Sequence, residues 1–157
     1  MKGPIVIDTN LLVLLVVGLT NISYIEKHKR LSSFDKVDFS IATNLIDNFS
    51  NFVFTPNVIS ETSNLIRYLN SPIKEQVSDM FSTMICRSPE IYIESCRASR
   101  RPEYSRLGVT DSVLLELLEQ GGTLFTDDLD LFLAAQSAGF EAINYNHLRE
   151  QRPDYRS

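Results

Sequence analysis

Four carboxylates spread along the chain, Asp8, Glu61, Asp111 and Asp128, hold the positions from which side chains can do chemistry. Asp8 follows the apolar run Ile5-Val6-Ile7 and Asp128 follows Leu124-Phe125-Thr126-Asp127, so each stands where a buried strand would stop. In open α/β sheets ligands bind in the crevice beyond the carboxyl ends of the strands. Glu61 falls on the rim of a helical face made by Val58, Ile59, Thr62, Leu65, Ile66 and Leu69. Asp111 precedes Leu114, Leu115 and Leu118 by three, four and seven residues, which places it on the buried side of a helix's first turn. Carboxylates at close range repel and raise one another's pKa, an arrangement that persists mainly where a divalent cation compensates it. Oxygen ligands without cysteine or histidine point to Mg²⁺ or Mn²⁺ rather than zinc. Each acid also has a purely structural reading. Asp8, Thr9 or Asn10 can cap the following helix, Glu61 can complement a helix dipole, and the amides of its own helix can satisfy Asp111.

The elements that must position these acids read as strands separated by helices. Residues 5–7 form the first strand, and the apolar stretch Leu11 to Leu19 forms the first helix. Residues 20–38 are polar, with scattered Ile22, Tyr24, Ile25, Leu31 and Phe34, and read as short helix and loop. Phe39, Ala42, Leu45, Ile46 and Phe49 give an amphipathic helix over 39–49. Phe52-Val53-Phe54 reads as a second strand, and Thr55-Pro56 as the start of a helix running to Leu69. A helix follows over 73–85 and a third strand at Ile91-Tyr92-Ile93. Residues 95–107 form a loop, and Gly108 to Leu118 a helix closed by Gly121-Gly122. A fourth strand at 123–125, a helix over 131–138, a last strand at 142–144 and a polar tail from about 147 complete the chain. The alternation predicts an α/β fold of three layers, α/β/α, with a central parallel sheet of four to five strands and helices on both faces.

At 157 residues the chain fits a single domain spanning 1–157. Such a domain buries roughly 70% of its unfolded surface. No apolar run reaches the roughly 20 residues of a membrane span, and Asp8-Thr9-Asn10 interrupts what would be a signal peptide, so a cytoplasmic location is expected. Cys86 and Cys96 form no CxxC pair, and His28 and His147 stand alone, which speaks for reduced thiols and against zinc. The net charge of −5 argues against non-specific nucleic-acid binding by the whole surface. Arg97, Arg100, Arg101 and Arg106 make the one local patch that could contact phosphate, unless Glu94 and Glu103 merely balance a solvated loop.

The segments Ile5-Val6-Ile7-Asp8-Thr9-Asn10, Ser60-Glu61, Thr110-Asp111-Ser112-Val113-Leu114-Leu115 and Leu124-Phe125-Thr126-Asp127-Asp128-Leu129-Asp130 resemble, in order and rough spacing, the PIN-domain family of metal-dependent ribonucleases, which includes VapC-type toxins. The resemblance implies a PIN-like fold and a Mg²⁺- or Mn²⁺-dependent endoribonuclease, the toxin of a toxin–antitoxin pair. It implies Asp8, Glu61, Asp111 and Asp128 as catalytic, metal-binding acids, with Asp130 adding to the metal site and Asp127 a rival for the fourth place. Thr9, Asn10, Thr110, Thr126 and Asp127 would support them, Thr9 or Asn10 by orienting Asp8. The four arginines would then contact RNA. An antitoxin protein and a second copy of the chain are the partners so implied. Metal-bound water would attack the phosphodiester in line.

Two other readings compete. A non-catalytic PIN-like module would use the same acidic edge to bind a metal or a partner without turnover. A receiver-like phospho-acceptor domain would want an adjacent acidic pair early and a late lysine, whereas this chain has Asp-Thr-Asn and no lysine after Lys74.

Overall fold

The computed structural model describes residues 2–28 and 33–155. Leu31 in the early polar stretch and the last two residues of the tail lie outside them. The first strand, β1 (Ile5–Ile7), is wholly buried and hands directly to helix α1 (Thr9–Thr20). Leu11 to Val17 are each at most 1% exposed, so α1 is apolar on every side rather than on one stripe. It packs against a short 3₁₀ helix, Ile22–Lys27, and against α2 (Lys36–Ile46), α3 (Pro56–Ile66) and α4 (Ile73–Cys86). The core is built around it.

Helix α2 starts earlier than its apolar spacing indicates, because Asp35 and Asp38 form a reciprocal capping box at its N-terminus. Helix α3 begins as Thr55-Pro56 predicts, with the Thr55 hydroxyl accepting from Val58 N at 3.3 Å. The predicted loop at 95–107 contains two single-turn helices, α5 (Ser95–Ala98) and α6 (Tyr104–Leu107). Gly108, at φ 86°, then links α6 to α7 (Val109–Leu118) in a conformation that a side chain would strain. Strand β2 (Thr123–Thr126), α8 (Leu129–Ser137), β3 (Glu141–Asn144) and α9 (Tyr145–Arg149) complete the order.

The expected sheet of four to five strands is not formed. Among the described residues the sheet has three parallel strands in the order β1-β2-β3, with Ile5 opposite Thr123 and Thr123 opposite Glu141. Residues 52–54 and 91–93 remain outside it for a physical reason. Residues 52–54 divide their bonds between two neighbours: Val53 N donates to Ile5 O, while Phe54 N donates to Pro89 O and Ile91 N to Phe54 O. Each contact is one bridge long, Ile5 to Phe52 and Phe54 to Glu90, and Pro56 turns the chain into α3 before a ladder can extend. The PIN-like three-layer arrangement is therefore corrected to a three-stranded sheet and a helical assembly gathered on α1.

Described residues of the polar tail from 147 contact the start of α2. Arg152 reaches back to Asp35 and Asp38 at 2.8–2.9 Å, because the guanidinium meets two carboxylates at the start of α2. Among the described residues no helix is long and apolar enough to cross a membrane.

A close approach of α1 and α2 gives the first prediction. A Cβ at Gly18 would run into the Phe39 ring. Overpacking costs of about 1–3 kcal/mol exceed the roughly 1 kcal/mol that alanine gains in helix propensity. Gly18→Ala is expected to lower the urea midpoint, whereas the same change in a Phe39→Ala background costs nothing further.

Candidate functional site

Parallel pairing brings the ends of β1 and β2 side by side, with Asp8 N donating to Phe125 O at 3.0 Å. Asp8 caps α1: its Oδ1 accepts from Thr9 N at 2.7 Å and its Oδ2 from the Thr126 hydroxyl at 2.7 Å. The same Thr126 hydroxyl accepts from Asp128 N at 3.0 Å, and Asp128 Oδ1 caps α8 by accepting from Leu131 N at 3.1 Å. Glu61, exposed on α3, accepts from two hydroxyls, Thr9 at 3.1 Å and Thr110 at 2.7 Å. Three threonines thus tie Asp8 and Glu61 to the ends of β2, α1 and α7. Asp111, in the first turn of α7, is half-buried and accepts no hydrogen bond from the described residues.

Asp8, Glu61, Asp111 and Asp128 line one open cleft of about 560 Å³, together with Thr9, Asn10 and Thr110. Asn64, Leu65, Leu107, Gly108 and Val109 complete the lining and were not expected as site residues from sequence; the glycine between two helical segments is the one readable signal among them.

The charges press on each other. Burial pushes the Asp111 carboxyl up to about 7, and the charges of Asp8, Asp128 and Glu61 add to the effect. Burial raises Asp8 to about 6; hydrogen bonds from Thr126 and Thr9 pull it down, while Asp127 and Asp128 push it up. Burial also raises Asp127, whose Oδ1 is buried without a partner and whose main-chain oxygen accepts from Asn146 Nδ2 at 3.0 Å.

Other residues named from sequence lie elsewhere. Asp130 is exposed beside a smaller hollow of about 280 Å³ that it shares with Glu103 and Arg106, away from the cleft. Arg97 pairs with Glu116 at 2.7 Å. Arg101 pairs with Glu103, Glu116 and Glu119 at 2.9–3.4 Å and lies over the Phe140 ring. These two arginines fasten residues 95–107 to α7. Arg100 and Arg106 are exposed and make no ion pair among the described residues.

The expected metal centre is not present as a ligand set. Among the described residues no group of three or more His, Cys, Asp or Glu is placed to hold a metal ion. Hydroxyl and amide donors already engage oxygens of Asp8, Glu61 and Asp128. The lack of such a group among the described residues overturns the expected Mg²⁺ or Mn²⁺ cofactor and, with it, the metal-dependent ribonuclease and toxin activity. No family model matches the chain, and no curated protein matches it either. Together with the three-stranded sheet, these findings remove the assignment to the PIN-domain family.

The raised carboxyls make stability pH-dependent. Folded Asp8 and Asp111 hold protons above the unfolded-chain value of 3.8, so the folded state binds more protons between about pH 4 and pH 7. Stability should therefore fall as pH rises through that window. Asp111→Asn is expected to stabilise the protein at about pH 8 by about 1–2 kcal/mol, allowing for solvent screening, with no gain near pH 4. Thermal melts at the two pH values check this, and an equal shift at both would contradict it.

Proposed function

We propose that the chain is a non-catalytic binding module whose acidic cleft receives a cationic group presented by a partner protein. One observation carries the reading: four carboxylates line a single hollow, and none of them is ion-paired with a lysine or arginine among the described residues. Burial, with repulsion from Asp8, Asp128 and Glu61 adding to it, raises the Asp111 carboxyl to about 7. A guest cation relieves that repulsion, returns the carboxyls toward ionisation and gains charge-assisted hydrogen bonds. A guanidinium suits the hollow better than an ammonium, because its planar fork of donors can serve carboxylates on more than one wall.

The rim supports a protein rather than a small polycation. Val109 and Leu129, on the helices that carry or follow Asp111 and Asp128, are 37% and 54% exposed. Large apolar side chains beside a desolvated charged centre match the make-up of protein interfaces.

A short peptide with one arginine between leucines, and its glutamine counterpart, test this by calorimetry. The arginine peptide should bind about tenfold tighter, or more, at pH 8 than at pH 5, because ionisation of Asp8 and Asp111 lies between. Asp8→Asn with Asp111→Asn should abolish the preference for arginine, and Asp79→Asn, on the exposed side of α4, should leave it intact. Indifference to the peptide's charge, or equal binding in the cleft variants, would refute the reading.

A further inference from the structure

The segment after β3 makes contacts that its length and polar composition do not lead one to expect. Tyr145 is fully buried and its hydroxyl donates to Asp38 Oδ1 at 2.6 Å. Arg149 pairs with Asp38 Oδ2 at 3.2 Å and donates to Ser33 O. Arg152, with a side chain only 6% exposed, holds Asp35 and Asp38 and also Asp154 at 2.8 Å. The bonds to Asp35 and Asp38 fix the segment to the start of α2. Its other contacts reach the cleft's supporting turn: the Tyr145 ring meets Phe125 edge-on at 6.0 Å, and Asn146 Nδ2 donates to the main-chain oxygen of Asp127 at 3.0 Å.

We infer that residues 144–154 form a clasp that fixes the turn between β2 and α8, and with it the Asp127-Asp128 wall of the acidic cleft, against the start of α2. Asp127 follows β2 and Asp128 begins α8, so the turn has only two residues to absorb any displacement. Thr126 and Leu131 hold Asp128 from within the turn, whereas Asn146 is the contact that reaches it from the clasp. The anchor joins distant parts of the chain, since Arg152 and Asp35 are 117 residues apart. Asp38 is 0% exposed and lies against two guanidiniums and a phenol, so the anchor is a buried, paired charge that resists partial loosening. Asn146 and Arg152 are thus positioning residues, which act on the cleft through Asp127.

Amide hydrogen exchange of the full chain tests the clasp without reference to what the cleft binds, so a failed peptide experiment would not bear on it. The amides of Asp128 and Leu131 report the turn directly, through their bonds to Thr126 and Asp128. Asn146→Ala removes the contact with Asp127 and leaves the anchor at Asp38 in place; it should speed exchange at both amides by about tenfold or more while Val77 and Phe81 in α4 exchange as before. Arg152→Ala, at the other end, should produce the same local pattern, and Arg152→Lys should restore it in part. Unchanged exchange at Asp128 and Leu131 in both variants would overturn the clasp. So would an increase spread evenly over α4 and the turn, since that would report general destabilisation.

Discussion

Charge of one sign, gathered in one open cleft and paired with no lysine or arginine among the described residues, is the constraint on which this structure turns. A half-buried carboxylate loses solvation that it must recover from donors, and like charges nearby increase the cost. Here the donors are mostly hydroxyls. Thr126 serves Asp8, while Thr9 and Thr110 serve Glu61, and each threonine stands at the junction of a strand or helix with the cleft. The acids therefore help to join β1, β2, α3 and α7, and the elements in turn keep the acids on the walls. Of the four acids only Asp111 accepts no hydrogen bond from the described residues, and burial, with repulsion from its neighbours adding to it, raises its carboxyl.

The remainder of the fold serves that junction by fixing α1. A helix buried on all sides has no freedom to rotate or slide, because every face meets packed side chains. Asp8 begins it and Gly18 lets α2 approach its far end, so the position of the acidic cap is set by packing at both ends of the helix.

How much of this could be read from the chain depends on the range of the interaction concerned. Local signals were legible. Ile5-Val6-Ile7 stops at a polar triplet, Thr55-Pro56 opens α3, and Gly108 and Gly121-Gly122 bracket α7. Strand pairing was not, because three apolar residues at 52–54 look the same whether they join a ladder or divide their bonds between Ile5 and the 89–91 segment. Spacing marked Asp8, Glu61, Asp111 and Asp128 as acids at element ends, and the cleft is lined by all four. Spacing said nothing of the hydroxyls that donate to these acids, since those bonds join residues 49, 52 and 118 positions away. Composition marked the tail only as polar and could not show that Arg149 and Arg152 meet Asp35 and Asp38.

The chain houses acidic groups in two contrasting ways, and the contrast locates its outward-facing chemistry. At the start of α2, Asp38 is fully buried and the protein provides Arg149, Arg152 and the Tyr145 hydroxyl to meet it. That charge is neutralised from within, and its role is cohesion. At the ends of β1 and β2 the same chain places Asp8, Asp111 and Asp128 around an open hollow and meets them with neutral donors or, at Asp111, with none among the described residues. If stability were the only demand on this region, an arginine at the cleft would relieve the repulsion as Arg152 does at Asp38. A site that instead leaves its repulsion standing is what the proposed guest cation would relieve, by bringing the opposite charge that the chain supplies for itself at Asp38.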